Sequence, residues 1–184
     1  MKIHPANNFW LEIPLDEILM DYIKSQIKLA KTNHKDHLVG HISSSLILPD
    51  KEQKLTNYIE EAAKEIDYVE HTQFKMMDMW VNFQKKHEFN PVHTHAGKLS
   101  FVIWVKVPYT YEDECNSVAA KGVNEEPVAG CFEFLYTNIL GQIERFTYPP
   151  TENILLIFPA NLHHLVYPFY TSDEERISIS GNLN

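Results

Sequence analysis

Apolar positions recur along this chain with two different periods, and the change of period divides it. Leu15, Ile18, Leu19, Tyr22, Ile23 and Ile27 fall at three- and four-residue steps, the spacing of one helical face. Asp16 and Glu17 stand at its start, where the helix dipole favours negative charge. Pro49-Asp50 opens a second such pattern, with Leu55, Tyr58, Ile59, Ala62, Ala63 and Ile66 on one side, and predicts a helix over residues 50–66. Residues 32–45 between them read as a connector. Beyond residue 72 the period drops to two, and strands are predicted over 74–83, 99–107, 131–136, 141–148, 154–158, 165–167 and 176–180. In the second of these, Leu99, Phe101, Ile103, Val105 and Val107 point one way, and Ser100, Val102, Trp104 and Lys106 the other. Pro108 ends that strand. The long, acidic stretch 109–130 then reads as a lid, a binding loop or a tolerated surface insertion.

Two helices followed by many short strands predict an α+β, mainly β chain, with the helices packed against one sheet of an antiparallel sandwich or barrel. At 184 residues, with no internal repeat, the expectation is a single domain over 1–184. Within it, residues 1–70 form a helical support and 71–184 the β core.

Charge narrows the partners. The net charge is −9, which argues against nucleic acid and against an anionic membrane surface, since both need a basic face. No apolar run is long enough to cross a bilayer, and the polar, acidic N-terminus does not read as a secretory signal. Cys115 and Cys131 have no metal-ligand or redox spacing and read as reduced thiols of a cytoplasmic protein. The many Phe and Tyr residues are compatible with a homodimer.

Ten histidines invite a search for clusters. His93-Thr94-His95 is the sharpest signal, because side chains two apart on an extended chain project to the same side and can serve one metal. A third ligand has its best candidate in the stretch from Phe158-Pro159 to His163-His164, where a strand ends, turns and restarts. Imidazole suits Fe(II), Zn(II), Cu(II) or Ni(II) alike. A lone His-x-His is more often a solvated loop, so the pair gains weight only from the later turn and from the last strand. There Arg176, Ser178 and Ser180 share one face, and Ile177 and Ile179 the other. Arg176 either lies in solvent beside Glu174 or Glu175, or points into a cavity where its planar fork binds a carboxylate through two hydrogen bonds. His34, His37, His41, His71 and His87 have no partner spacing and read as ordinary polar positions; Trp104 and Lys106 read as packing and solvent contacts.

From about Trp80 to Asn182 the chain resembles the 2-oxoglutarate/Fe(II)-dependent oxygenase superfamily, in particular its small prolyl-hydroxylase-like members. The resemblance rests on Trp80-x-Asn82, Asn90-Pro91-x-His93-x-His95, Gly130-x-Phe132-x-Phe134, Phe158-Pro159-x-x-Leu162-x-His164-x-Val166 and Glu175-Arg176-Ile177-Ser178-Ile179. It implies a double-stranded β-helix, or jelly roll, with Fe(II) as metal and 2-oxoglutarate as cosubstrate. It also implies oxidative decarboxylation to succinate with hydroxylation of a small-molecule or peptidyl substrate. By the family's pattern His93 and His164 are metal ligands, His164 being preferred to His163 by its spacing from the proline. Arg176 binds the far carboxylate of 2-oxoglutarate, and Ser178 adds a hydrogen bond. Asn82 is either a contact to cosubstrate or substrate, or a polar strand-end residue. No catalytic group is expected beyond the metal ligands.

One position departs from the pattern. Most of the superfamily has a carboxylate where this chain has His95, and three neutral imidazoles leave the site one unit more positive than two imidazoles and a carboxylate. His95 is either the third ligand or a neighbour of the metal with water in that place. Two rivals share the pattern in part. One is a cupin-like metalloprotein that makes no use of 2-oxoglutarate or Arg176. The other is a non-catalytic binding module that kept the fold.

Overall fold

A computed structural model describes residues 8–66, 73–121 and 127–184. His71 lies outside them. Among the described residues, ten strands form two antiparallel sheets. The larger has the order β1-β8-β5-β10-β3-β2, and the smaller β4-β9-β6-β7. In the larger sheet β1 is Leu11–Pro14, β2 Ser44–Ile47, β3 Met76–Gln84, β5 Leu99–Lys106, β8 Ile154–Pro159 and β10 Arg176–Leu183. In the smaller, β4 is Asn90–His93, β6 Phe132–Thr137, β7 Ile143–Tyr148 and β9 His163–Val166. Most pairs join strands far apart in sequence, with β10 between β3 and β5, which gives the double-stranded β-helix.

The alternating pattern decides what each sheet face does. Met79 and Val81 of β3, Phe101 and Ile103 of β5 and Ile179 of β10 point outward from the sandwich into one apolar cluster. Helices α1 (Glu17–Ile27) and α2 (Lys54–Ala62) cover that face with Met20, Ile23, Leu55 and Ile59. A second cluster fills the space between the sheets, with Val102, Trp104, Leu156 and Phe158 of the larger against Phe132 and Phe134 of the smaller. Apart from Trp80, the remaining inward positions of β3 and β10 are polar, and they line a cavity instead of a core.

Several expectations are refined. The first 70 residues are not helical support alone, because β1 and β2 form the two edges of the large sheet. Four-residue strands are too short to display a period. Ile18 is 84% exposed, so the buried stripe of α1 runs through Met20 and Ile23 instead. The second helix is shorter than 50–66. Asp50 precedes it and caps it, its carboxylate accepting from the backbone N–H of Leu55 and Thr56. Val107 lies beyond the end of β5 and packs on the inter-sheet cluster, opposite to the side its alternation predicts. Residues 111–116 form a short helix, α3 (Tyr111–Asn116), within the acidic 109–130 segment.

Candidate active site

Antiparallel register brings the metal-ligand candidates together. β4 pairs with β9 so that His93 stands opposite His164, and the chain just past β4 carries His95 to the same place. The backbone N–H of His95 donates to the Ala160 carbonyl at 2.9 Å and fixes that short extension. One ligand nitrogen from each of His93, His95 and His164 lies within 4.8 Å of the others. His163 points out to solvent on the opposite side of the strand.

The donor set fits a metal ion. Nδ1 of His93 is 2.7 Å from the Pro91 carbonyl and Nδ1 of His164 is 2.8 Å from the Leu162 carbonyl. A carbonyl oxygen only accepts, so both Nδ1 atoms carry the proton and both Nε2 atoms present lone pairs. Nε2 of His95 lies 3.1 Å from Nε2 of His164. Two imidazoles bound at right angles to one ion, at roughly 2.1 Å each, would stand about 3 Å apart. Burial holds all three imidazoles below the ordinary histidine range. His93 is lowered, His95 is pulled down to about 4, and His164 lies well below normal, with the neighbouring imidazoles adding to burial for the last two. At neutral pH all three are uncharged and able to bind a metal.

These imidazoles line a cavity of about 530 Å³ between the sheets. Its inner end is Arg176, only 1% exposed. The guanidinium donates through Nη1 to the Tyr109 hydroxyl and, at 2.6 Å, to the Gly130 carbonyl, and through Nη2 to Oε1 of Gln84. Its face lies against the rings of Tyr109 and Phe169. Among the described residues no carboxylate is within ion-pair distance of it, and Glu174 pairs with Lys106 instead. Ser178 and Asn82 face each other in register on β10 and β3 and line the same cavity. The Asn82 side-chain oxygen accepts from the Ser45 hydroxyl at 2.9 Å, which leaves its amide N–H groups to donate.

A family model of 2OG-Fe(II) oxygenases matches residues 78–182, more than half of the chain. The chain belongs to the 2OG-Fe(II) oxygenase family. The family implies a dioxygenase dependent on iron(II) and 2-oxoglutarate. Solved oxygenases share its fold. A prolyl-4-hydroxylase from Pseudomonas putida is 12% identical over 97% of this chain and 94% of its own, with a TM-score of 0.59. A 2OG-Fe(II) oxygenase from Burkholderia pseudomallei is 12% identical over 95% of this chain and 85% of its own, at a TM-score of 0.63. A prolyl hydroxylase from Trichoplax adhaerens, in complex with a peptide fragment of hypoxia-inducible factor, is 13% identical over 93% and 81%, at 0.60. No curated protein matches the chain.

Sequence reasoning missed part of the site of this oxygenase. His34 and His37, expected to be ordinary polar positions, line the cavity, and Trp104 does so as well as packing on Tyr148. Gln84 continues the Trp80, Asn82 alternation by one step and was legible in principle. Tyr109 and the Gly130 carbonyl come from the two ends of the 109–130 segment, where no pattern announces them. His41 stacks on Phe89, and His87 lies against Tyr170; both stand apart from the cavity.

Proposed function

We propose that this oxygenase holds its iron(II) between His93, His95 and His164 and seats 2-oxoglutarate with its distal carboxylate on Arg176. The observation that carries the reading is a buried guanidinium without a carboxylate partner among the described residues, in the same cavity as three neutral imidazoles. A buried charge is costly unless it is paired, so the cavity is built to receive an anion. Iron(II) with 2-oxoglutarate, when bound, supplies the means to activate dioxygen and oxidise a substrate as 2-oxoglutarate becomes succinate and carbon dioxide.

The protein's part is positioning. Three imidazoles on one side leave the rest of a metal's coordination sphere open towards the cavity. Arg176, held by Tyr109, Gln84 and the Gly130 carbonyl, offers its remaining N–H groups to one end of a dicarboxylate. Ser178 and the Asn82 amide stand on the neighbouring wall and add hydrogen bonds to it. The apolar inter-sheet cluster closes the cavity behind and excludes water, which strengthens each polar contact. The substrate is a small molecule or a peptide. We read the chain as a single domain, because β1 and β10, far apart in sequence, share the larger sheet.

Anaerobic titration tests the reading. Iron(II) plus 2-oxoglutarate should give a weak visible charge-transfer band, and His164→Ala should abolish it. Arg176→Met should keep metal binding but weaken 2-oxoglutarate by at least about thirtyfold, the cost of truncating one partner of a buried charge pair. A band of unchanged strength in His164→Ala would refute the ligand assignment.

A further inference from the structure

We infer that this oxygenase takes a substrate carrying a protonated amine or guanidinium a few bonds from the carbon it oxidises, and that Asp78 is the residue that receives the charge. The inference rests on the proposed metal and cosubstrate positions, which put the substrate at the outer end of the cavity.

The cavity is electrically polarised. Along β3 and β10 the inward positions run in register from Gln84 opposite Arg176, through Asn82 and Ser178, then Trp80 and Ser180, to Asp78 opposite Asn182. Arg176 is buried at one end, and Asp78 is exposed at the other. Asp78 is the single carboxylate among the described residues that line the cavity, and no lysine or arginine among them comes within ion-pair distance of it. An anionic cosubstrate fills the positive end, so the outer end remains negative.

Asp78 is oriented as well as charged. The Ser100 hydroxyl donates to the Asn182 side-chain oxygen at 2.8 Å, which turns the Asn182 amide nitrogen towards Oδ1 of Asp78, also at 2.8 Å. Oδ2 has no such partner among the described residues and is left for a ligand. Burial lowers the nearby His34 imidazole below the ordinary histidine range, outweighing the opposite pull of the Asp78 charge.

Aromatic rings mark the path inward from this acid. His34 lies 5.0 Å from the Trp80 ring, Trp80 lies 5.9 Å from His95, and His95 lies 5.0 Å from His164. Trp80 therefore stands between Asp78 and the imidazole cluster, and its face suits both an aliphatic stem and a passing cation. Asp78 precedes Trp80 by two residues on the strand, about 7 Å. Leu38 and Ile42 of the connector close the other wall with apolar surface. A cationic head on Asp78 with an alkyl chain along Trp80 thus reaches the metal side. An uncharged ring such as proline would leave Asp78 unused.

Binding under non-turnover conditions tests this. The probes are the N-acetyl amides of lysine, arginine, norleucine, citrulline and proline, titrated calorimetrically into nickel(II)-loaded protein with 2-oxoglutarate. The lysine or the arginine probe should bind about three- to fivefold more tightly than its uncharged counterpart, norleucine or citrulline, as an ion pair with an exposed carboxylate predicts. Asp78→Asn keeps the acceptor for Asn182 and should erase that preference while leaving 2-oxoglutarate affinity intact. Equal binding of charged and uncharged probes, tighter binding of the proline probe, or no binding of any probe overturns the inference. A failure of 2-oxoglutarate to bind the nickel-loaded wild type would strike the proposed function instead, and the two failures are read in separate titrations.

Discussion

At the scale of single residues, the site depends on where one guanidinium is held. The alternation of Arg176, Ser178 and Ser180 against Ile177 and Ile179 told which face the arginine takes, and the structure keeps that division, with Ile179 in the helix-covered core. The sequence left open whether that face met solvent or a cavity, because the answer lies in residues 46 and 67 positions earlier. Gly130 shows how strict the local fit is. Its φ is +73°, and a Cβ there would come within 2.7 Å of the Tyr109 ring. Gly130→Ala should therefore strain the backbone and displace Tyr109, at a cost of roughly 1–3 kcal/mol. Tyr109→Phe removes a hydroxyl that accepts from Arg176 and donates to the Gly130 carbonyl, while leaving the carbonyl bond to Arg176, and should cost about 1–3 kcal/mol without straining the backbone. Urea denaturation of both variants orders them. A Gly130→Ala protein as stable as wild type would mean that Tyr109 has room to move. Both should weaken 2-oxoglutarate, Gly130→Ala the more.

At the scale of elements, what was legible followed length. The long strands β3, β5 and β10 and both helices display their period, and their boundaries fall within a few residues of expectation. The four-residue strands β1, β2 and β4 do not, and the connector 32–45 carries no repeat at all, although it supplies His34, Leu38 and Ile42 to the cavity. The 109–130 segment had been open between lid and surface insertion. Its first part is docked, because Glu114 at 0% exposure accepts from the backbone N–H groups of Tyr170 and Thr171, at 2.9 and 2.8 Å, and from the Thr171 hydroxyl. Both carboxylate oxygens are in use, so Glu114→Gln must turn an amide N–H towards a backbone donor. The expected loss is about 1–3 kcal/mol of stability, together with faster hydrogen exchange at Tyr170 and Thr171. Wild-type exchange at those two amides would show that α3 does not hold the turn that precedes Arg176.

At the scale of the molecule, the larger sheet keeps its two faces apart. The outer face is a continuous apolar core under α1 and α2, while the inner face gives up packing around β3 and β10 to polar groups that line the cavity. Folding thus leaves three crowded, neutral imidazoles and one guanidinium in need of a counter-ion, and stability must respond to pH and to ligands. The imidazoles have folded-state values below the unfolded one, near 6.5, with His95 at about 4. Between those values the unfolded chain binds more protons, so stability is complete above pH 6.5 and falls as the pH drops towards 4. At pH 5 the loss should be roughly 2 kcal/mol from His95, with His93 and His164 adding to it in the same direction. A divalent metal binds only the neutral form and only the folded arrangement, so at a hundred times its dissociation constant it should add about 2.7 kcal/mol. That gain should shrink as the pH approaches 5 and protons compete. Thermal melts of metal-stripped protein, with and without nickel(II), at pH 7.5 and 5.0 measure both effects. His164→Ala should remove most of the metal-dependent rise and flatten the acid limb. If the acid limb survives unchanged in that variant, the pH dependence comes from groups other than the cluster, and the claim that burial of these imidazoles governs it is wrong.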